Sequence, residues 1–382
     1  MKCLFLAIAL AAASAQAQAQ VQDDSVRAVK EALEDLRPHA QEHRGTRGAT
    51  EALTPVKHRL RDWAEAMLAA AGEHFDEDTL NRQFQESAAG GGWLCTNGCP
   101  LTALGYADAP RVHRQGGFAV IQTSVGIACG FDDSAYLYEW RGTAGSSAGR
   151  NGSTWARIFA TEQDHYTPAG YLPQTIYSVQ VSAPDASGAR IIVSLGSRPG
   201  CSNAFQPLYY RLWRMAPGSA KPALLLDASE TAFIGFYPPA RATLAANDVR
   251  IEFTAGGTGY GEGHQAERHF AISANGATQI EPIAPTPRDF VEEWLASPWK
   301  EAAKLSESPA LEPLHAKLHR DDGMGDFPDP PQPCAGDATL WQIGIRLHGV
   351  EAKTYYLVRW RQPDHFTMAA ISATRSKLCP QP

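Results

Sequence analysis

Two histidines in the C-terminal part of the chain have the spacing of metal ligands. His315 and His319 lie one helical turn apart, and Asp321 and Asp322 follow directly. Imidazoles at this spacing can bind a zinc ion when a carboxylate completes the ligand set. The same segment has the apolar residues of a packing helix, in which such histidines are usually solvated or capping side chains. The pattern therefore predicts a candidate metal site at this pair and names no further ligand.

Three more residues have side chains suited to acid–base chemistry. Asp164 and His165 are adjacent at the end of a predicted strand, and His264 follows a glycine-rich run. General acid–base catalysis needs such groups within hydrogen-bonding reach of a substrate, and catalytic partners usually come from distant segments. Turn formation is the favoured explanation of the Asp164–His165 pair. A hydrolase with a dispersed active site is thus an alternative, and no catalytic residue is assigned.

Two glycine-rich segments match the sequence pattern of catalytic or binding motifs but lack the structural context that those motifs need. Residues 145–149 match G-x-S-x-G, but a nucleophile elbow needs a strand before the serine and a helix after it. Residues 256–263 would cradle a phosphate only at the start of a helix. Both segments lie between predicted strands, so we predict hairpin loops. The second is expected to be a long loop that can line a binding mouth.

The N-terminal segment predicts export. Lys2 precedes a short apolar run at residues 4–13, and small residues allow cleavage between residues 15 and 19. This is the pattern of a secretory signal peptide, residues 1–19, and the run is shorter than the roughly 20 residues that span a bilayer. The protein is therefore expected to be periplasmic or extracellular.

Export determines how the cysteines are interpreted. Of the 7 cysteines, Cys3 is removed with the signal, and the even number that remains predicts disulfides in an oxidising compartment. Six cysteines allow many pairings, among which the sequence does not choose. The pairing that we favour joins Cys334 to Cys379, Cys129 to Cys201 and Cys95 to Cys99. The last pair is a CxxxC without a nearby histidine, which does not match a zinc site.

The composition is that of an ordinary globular protein. Hydrophobic residues make up 44% of the chain, charged residues 20%, and the formal net charge is −7. A mildly acidic chain without a Lys/Arg-rich run is not expected to bind nucleic acid. No second apolar segment approaches transmembrane length, and no cofactor is predicted.

The elements that must position these residues fall into three regions. Residues 20–90 have helical periodicity, and Thr54 with Pro55 predicts the start of the second helix. Residues 91–285 contain short strands separated by turn residues, which favours antiparallel sheets. Residues 286–382 contain helices followed by strands, an α+β unit. The fold class is therefore mainly β, propeller-like or a sandwich, with an N-terminal helical segment and a C-terminal α+β unit.

One internal repeat has the form Tyr-x-x-x-Trp-Arg. It occurs at Tyr136–Arg141, Tyr209–Arg214 and Tyr356–Arg361. In a strand, each tyrosine and its tryptophan share one face and the arginine lies on the other. Such aromatics usually belong to a core, although exposed rings can bind sugars or peptides. A repeated strand unit is also what suggests the propeller-like alternative.

The sequence carries no coherent catalytic constellation. The leading prediction is therefore an exported, non-enzymatic protein that binds a small molecule, a glycan or a protein through the loops of its sheets. The alternatives are the secreted or periplasmic hydrolase and an envelope structural or assembly component. A pocket with converging titratable groups would favour the hydrolase, and an aromatic surface would favour binding.

Overall fold

The computed structural model is mainly β. It describes residues 23–39, 47–94, 105–127, 130–142, 154–162, 174–198, 205–219, 221–233, 239–259, 262–319, 325–326, 329–347, 352–361 and 365–379. Strands make up 48% of it and form three antiparallel sheets, with a helical segment before them and an α+β region at the C-terminus. The predicted fold class is therefore confirmed. The proposed signal peptide lies outside the described residues.

The chain divides into two compact units. The first comprises Met1–Val181, Gly196–Ser202 and Gly218–Ala223, and the second comprises Ser182–Leu195, Asn203–Pro217 and Leu224–Pro382. Among the described residues, no helix is long and apolar enough to cross a membrane.

Three helices begin the first unit. They are α1 (23–36), α2 (Arg47–Ala71) and α3 (Glu77–Gly91). The prediction that the second helix starts at Thr54 is wrong, because α2 begins at Arg47 and contains Pro55. A proline inside a helix removes one backbone hydrogen bond. The buried residues on either side, Leu53 and Val56, show that packing of the helix outweighs this loss.

These helices pack on the first sheet. Its strands are β1 (Arg111–Gln115), β2 (Phe118–Ile127), β3 (Gly130–Arg141) and β4 (Thr154–Ala160), hydrogen-bonded in that order. Trp63 lies at the centre of the helical part of the core, edge-on to Phe84 at 5.4 Å and to Trp93 at 5.5 Å between ring centroids. All three rings are almost completely buried. Aromatic burial of this extent explains why helices with narrow apolar stripes stay on the sheet.

A helix side chain takes the place of a strand at the edge of this sheet. Asn81 of α3 donates to the carbonyl of Val112 at 3.0 Å and accepts from the same residue's N–H at 2.8 Å. In the same unit, Gln115 accepts from the N–H of Val181 and donates to the carbonyl of Val179, both on β5 (Thr175–Val181). Side-chain amides thus satisfy backbone groups that a further strand would otherwise pair with.

The second unit contains most of the second sheet. Its strands are β6 (Arg190–Ser197), β7 (Phe205–Met215), β8 (Ala223–Phe233), β9 (Ala240–Ala245), β10 (Asp248–Gly259), β11 (Glu262–Ser273) and β12 (Gly276–Ile280). They are hydrogen-bonded in the order β12-β11-β10-β8-β7-β6, and β9 pairs with β10. The alternation of buried and exposed residues along β9 and β10 is that of half-buried antiparallel strands.

The glycine-rich run between β10 and β11 is a hairpin, as predicted, but not a long loop. Gly256 pairs with Gly263 and Gly259 with Glu262, with a register shift between the two pairs. A Cβ on Gly263 would lie 2.2 Å from Cγ2 of Thr254, so this position has no room for a side chain. Gly263 therefore allows a close backbone approach in a strand.

The C-terminal region adds helices and the third sheet. The helices are α4 (Pro287–Ala296), α5 (Trp299–Ala302) and α6 (Glu312–Leu318). The strands are β13 (Gly325–Asp326), β14 (Gln332–Cys334), β15 (Asp337–Leu347), β16 (Thr354–Arg361) and β17 (His365–Ser372), in the order β13-β15-β16-β17 with β14 on β15. The Cys334–Cys379 disulfide is confirmed. Cys95, Cys99, Cys129 and Cys201 lie outside the described residues, and their pairing stays a prediction.

Candidate ligand-binding face

The two histidines of the proposed metal site lie at the carboxyl end of α4. His315 Nε2 is 3.1 Å from the carbonyl oxygen of Trp294, and His319 Nδ1 is 2.6 Å from that of Leu295. The two imidazole rings stack, with their centroids 5.1 Å apart. A ring nitrogen that donates to a carbonyl carries a hydrogen and cannot bind a metal at the same time. In this arrangement the pair caps the helix, and the metal site stays a prediction.

No larger ligand set accompanies this pair in the part of the chain that the structure describes. There, no group of three or more His, Cys, Asp and Glu side chains is placed to hold a metal ion. His315 is almost completely buried, and burial lowers its pKa. Asp321 and Asp322 lie outside the described residues, as do Asp164, His165 and residues 145–149. The acid–base and nucleophile patterns at those positions therefore stay predictions.

His264 lies in β11 and is buried between two glutamates of α4. Its Nε2 is 2.7 Å from Oε1 of Glu293, and its Nδ1 is 3.3 Å from Oε2 of Glu292. Burial alone lowers the pKa of an imidazole, but hydrogen bonds and charges from the two carboxylates raise that of His264 to about 10. The ring therefore holds its proton throughout the neutral range. A general base must be able to accept a proton, and this imidazolium cannot.

The same network continues across the second sheet. Arg268 NH1 lies 2.8 Å from Oε2 of Glu293, and Arg268 Nε lies 2.8 Å from Oε1 of Glu230 on β8. The hydroxyl of Tyr210 on β7 donates to the same Glu230 carboxylate at 3.1 Å. Each buried charge thus faces an opposite charge, which buried ions require. The network connects α4 to three strands and has the features of a structural support.

A second polar network holds α2 on the first sheet. Three charged residues of α2, four apart in sequence and so on one helix face, pair with residues of the sheet or of the segment directly after β4. The ion pairs are Lys57–Asp132 (2.7 Å), Arg61–Glu162 (3.0 Å) and Glu65–Arg157 (3.0 Å). The spacing i, i+4, i+8 of these charges beside the apolar stripe of α2 is the sequence feature that could have indicated this network. As in the network around His264, each of these charged side chains faces a side chain of opposite charge.

Asp133 points to the opposite face of β3 from Asp132. Its Oδ2 accepts from the N–H of Ile176 at 2.8 Å, and its Oδ1 accepts from the hydroxyl of Ser124 at 2.5 Å. Burial raises the pKa of Asp133 to about 7, against these hydrogen bonds, which lower it. Because neighbouring residues of a strand face opposite sides, Asp132 and Asp133 are not a catalytic carboxylate pair.

The three Tyr-x-x-x-Trp-Arg copies have different surroundings. Tyr136 and Tyr356 are completely buried, and their tryptophans, Trp140 and Trp360, pack against the cores of the first and third sheets. In the second copy, on β7, both Tyr209 and Trp213 are only half-buried. The core interpretation thus holds for the first and third copies. The second presents two aromatic rings toward the surface of the sheet.

These rings belong to a larger surface on β7 and β8, which we call the aromatic face. It consists of Phe205, Pro207, Tyr209, Arg211 and Trp213 of β7 together with Asp227, Ser229, Thr231 and Phe233 of β8. Alternate residues of a strand share a face. Two contacts show that the rows of the two strands lie on the same side: Phe205 to Phe233, 5.3 Å between ring centroids, and Arg211 Nε to Asp227 Oδ1, 2.9 Å.

Burial separates the two sides of β7. The residues between those of the aromatic face are Leu208, Tyr210 and Leu212, exposed by 1%, 3% and 0%. On β8, three residues of the aromatic face are exposed: Asp227, Ser229 and Thr231. The aromatic face is therefore the more exposed side of this part of the sheet, and its composition combines flat rings, hydroxyl groups and one ion pair. That combination suits a ligand with both apolar and polar surface.

Comparisons with known proteins do not assign the chain. No family model matches it, and no curated protein does. Among solved structures it is similar to BT0996 in a complex with RGII, at 12% identity and a TM-score of 0.23, covering 69% of this chain and 72% of that one. It is also similar to the alpha-L-arabinofuranosidase PaAbf62A from Podospora anserina in complex with cellotriose, at 13% identity and a TM-score of 0.19, covering 72% and 91%. TM-scores this low carry no argument about fold or function.

Proposed function

We propose that this is an exported, non-enzymatic protein that binds carbohydrate through the aromatic face. The observation that carries the proposal is the half-buried state of Tyr209 and Trp213, where the corresponding tyrosines of the other two copies are completely buried. The Cys334–Cys379 disulfide supports export, because disulfides persist in oxidising compartments.

Carbohydrate fits the mixed character of the surface. A sugar ring has an apolar face that can stack on an aromatic side chain, and its hydroxyl groups need hydrogen-bond partners at the edge of that stack. Arg211 and Asp227 supply charged donors and acceptors between the rings, and Ser229 and Thr231 supply exposed hydroxyls. The sequence predicts binding through the loops of the sheets. The aromatic face is instead a surface formed by two strands.

The hydrolase alternative has less support. His264, the described residue on which it relied, is held as an imidazolium by Glu292 and Glu293 and connects α4 to the sheet. An active site at Asp164 and His165 would have to arise independently of this network.

The test is retention by soluble polysaccharides in native affinity electrophoresis. We would use hydroxyethylcellulose, xylan, arabinan and starch as neutral probes, with the full mature protein. Retention by at least one of them is expected. Trp213→Ala should weaken it about fivefold or more, since an interface tryptophan commonly contributes more than about 1 kcal/mol.

The matched control is Trp360→Ala. Trp360 occupies the same position of the third copy and is also half-buried, but it packs against the core of the third sheet. Its loss should lower the melting temperature and leave retention unchanged. Retention by none of the four polysaccharides, or equal loss in both variants, would contradict the proposal.

A further inference from the structure

We infer that the aromatic face binds an extended, neutral glycan chain along β7 rather than a single sugar. The inference rests on the proposed carbohydrate-binding function and specifies the length and charge class of the ligand.

The length follows from the positions of the rings. Phe205, Tyr209 and Trp213 are spaced four residues apart on the same face of one strand. A strand rises about 3.3 Å per residue, so neighbouring rings are about 13 Å apart and the outer two about 26 Å apart. One sugar ring can stack on only one of these side chains. A ligand that contacts all three must be a linear oligomer that runs parallel to the strand.

Pro207 and Arg211 lie between the rings on β7, and the ion pair with Asp227 holds Arg211 toward β8. The surface beside the rings on β8 is low. Ser229 and Thr231 on β8 are short and exposed, and they lie in the same row as Asp227 and Phe233. The contact of Phe205 with Phe233 closes one end of the row with a pair of rings. The exposed hydroxyl groups thus lie where the polar edges of a bound chain need partners.

The charge class follows from the ion pair. Arg211 and Asp227 are the described charged residues of the aromatic face, and they pair with each other at 2.9 Å. Their side chains are 31% and 47% exposed, so both can also bond to a ligand. Because the two charges compensate, the face offers no net attraction to an acidic or a basic polymer. A neutral glycan does not need such an electrostatic attraction in order to bind.

The experiment is calorimetric titration of the mature protein with β-1,4-linked oligomers of xylose and of glucose, from disaccharide to hexasaccharide. Affinity should rise with length, by roughly twofold to tenfold for each additional ring engaged. Phe205→Ala should reduce binding of the hexasaccharide by that factor and leave the shortest oligomer that binds unaffected. Phe131→Ala, which removes a 41% exposed phenylalanine of the first unit, is the matched control and should change neither.

A second variant covers the case in which Phe205→Ala unfolds. Thr231→Arg adds a long side chain at an exposed position of β8 and should abolish the gain in affinity with length. Affinity that does not depend on oligomer length would overturn the inference and leave the proposed function standing. Stronger binding of polygalacturonate than of the neutral chains would overturn the charge assignment.

Failure of every oligomer and polysaccharide to bind would overturn both proposals together. So would sedimentation of the wild-type protein as a dimer that Trp213→Ala converts to a monomer, because a second copy would then occupy the face.

Discussion

Replacement of Asp133 by asparagine should stabilise the protein at alkaline pH and much less at acidic pH. Asp133 is buried in β3, and its described partners, Ser124, Gln122 and the N–H of Ile176, are all neutral. Burial raises its pKa from 3.8 to about 7. Between these values the folded protein keeps a proton that the unfolded chain has released.

The sign follows directly from proton binding. A folded state that binds more protons than the unfolded state loses stability as pH rises, so the contribution is complete below pH 3.8 and gone above about 7. The full change in the free energy of unfolding is at most roughly 4 kcal/mol, at 1.36 kcal/mol for each pH unit. The part that falls above pH 5 is roughly 3 kcal/mol.

Asparagine keeps the acceptor for the N–H of Ile176 and cannot ionise. We therefore expect the stability difference between Asp133→Asn and the wild type to grow by up to roughly 3 kcal/mol between pH 5 and pH 8. Urea unfolding followed by tryptophan fluorescence at several pH values measures this difference. Asp132, whose pKa is also raised by burial, is present in both proteins.

The control is Asp185→Asn. Asp185 is a surface residue whose hydrogen bonds with Ser187 and Arg214 lower its pKa to about 2, so its titration lies below the measured range. This variant should follow the wild-type pH dependence from pH 5 to pH 8. A constant offset between Asp133→Asn and the wild type over the same range would refute the reasoning, because it would show that the Asp133 pKa is not perturbed by folding.

Two further predictions concern interactions that join distant parts of the chain. Lys57→Met should lower the free energy of unfolding by about 3–5 kcal/mol, because it leaves the Asp132 carboxylate buried without its cation, and the double variant Lys57→Met/Asp132→Leu should recover most of the loss. Denaturant titration of the single and double variants checks this, and a double variant no more stable than the single one would contradict it. The double variant Cys334→Ser/Cys379→Ser should lose about 2–4 kcal/mol, since the disulfide closes a loop over a sequence separation of 45, and a thermal melt equal to that of the wild type would contradict this expectation.

Local patterns predicted much of the fold. Short apolar runs between turn residues indicated the antiparallel strands. The even cysteine count indicated disulfides but not their pairing, and Cys334–Cys379 is one of them. The start of α2 was missed, since Thr54 with Pro55 is a strong local signal for a helix start and burial of the neighbouring residues outweighed it. Propensity describes a segment alone, and packing decides where the helix begins.

The candidate site was predicted only in part. The repeat identified Tyr209 and Trp213 as a co-facial pair. Nothing in the motif shows which tyrosine is completely buried, because the residues that bury it are remote in sequence. The polar networks were missed for the same reason. Glu65 and its partner Tyr138 are 73 residues apart, and the structure alone brings them together.

The side-chain amide of Asn81 has a consequence for how this protein behaves at high concentration. An open strand edge is a template on which another chain can extend a sheet, and this is how many aggregates begin. Along β1, both backbone groups of Val112 are taken by Asn81, and the N–H of Arg114 is taken by Glu77. An incoming strand would have to displace α3 before it could pair here. Helix α3 therefore blocks fibril growth at this edge, and this effect does not depend on any ligand.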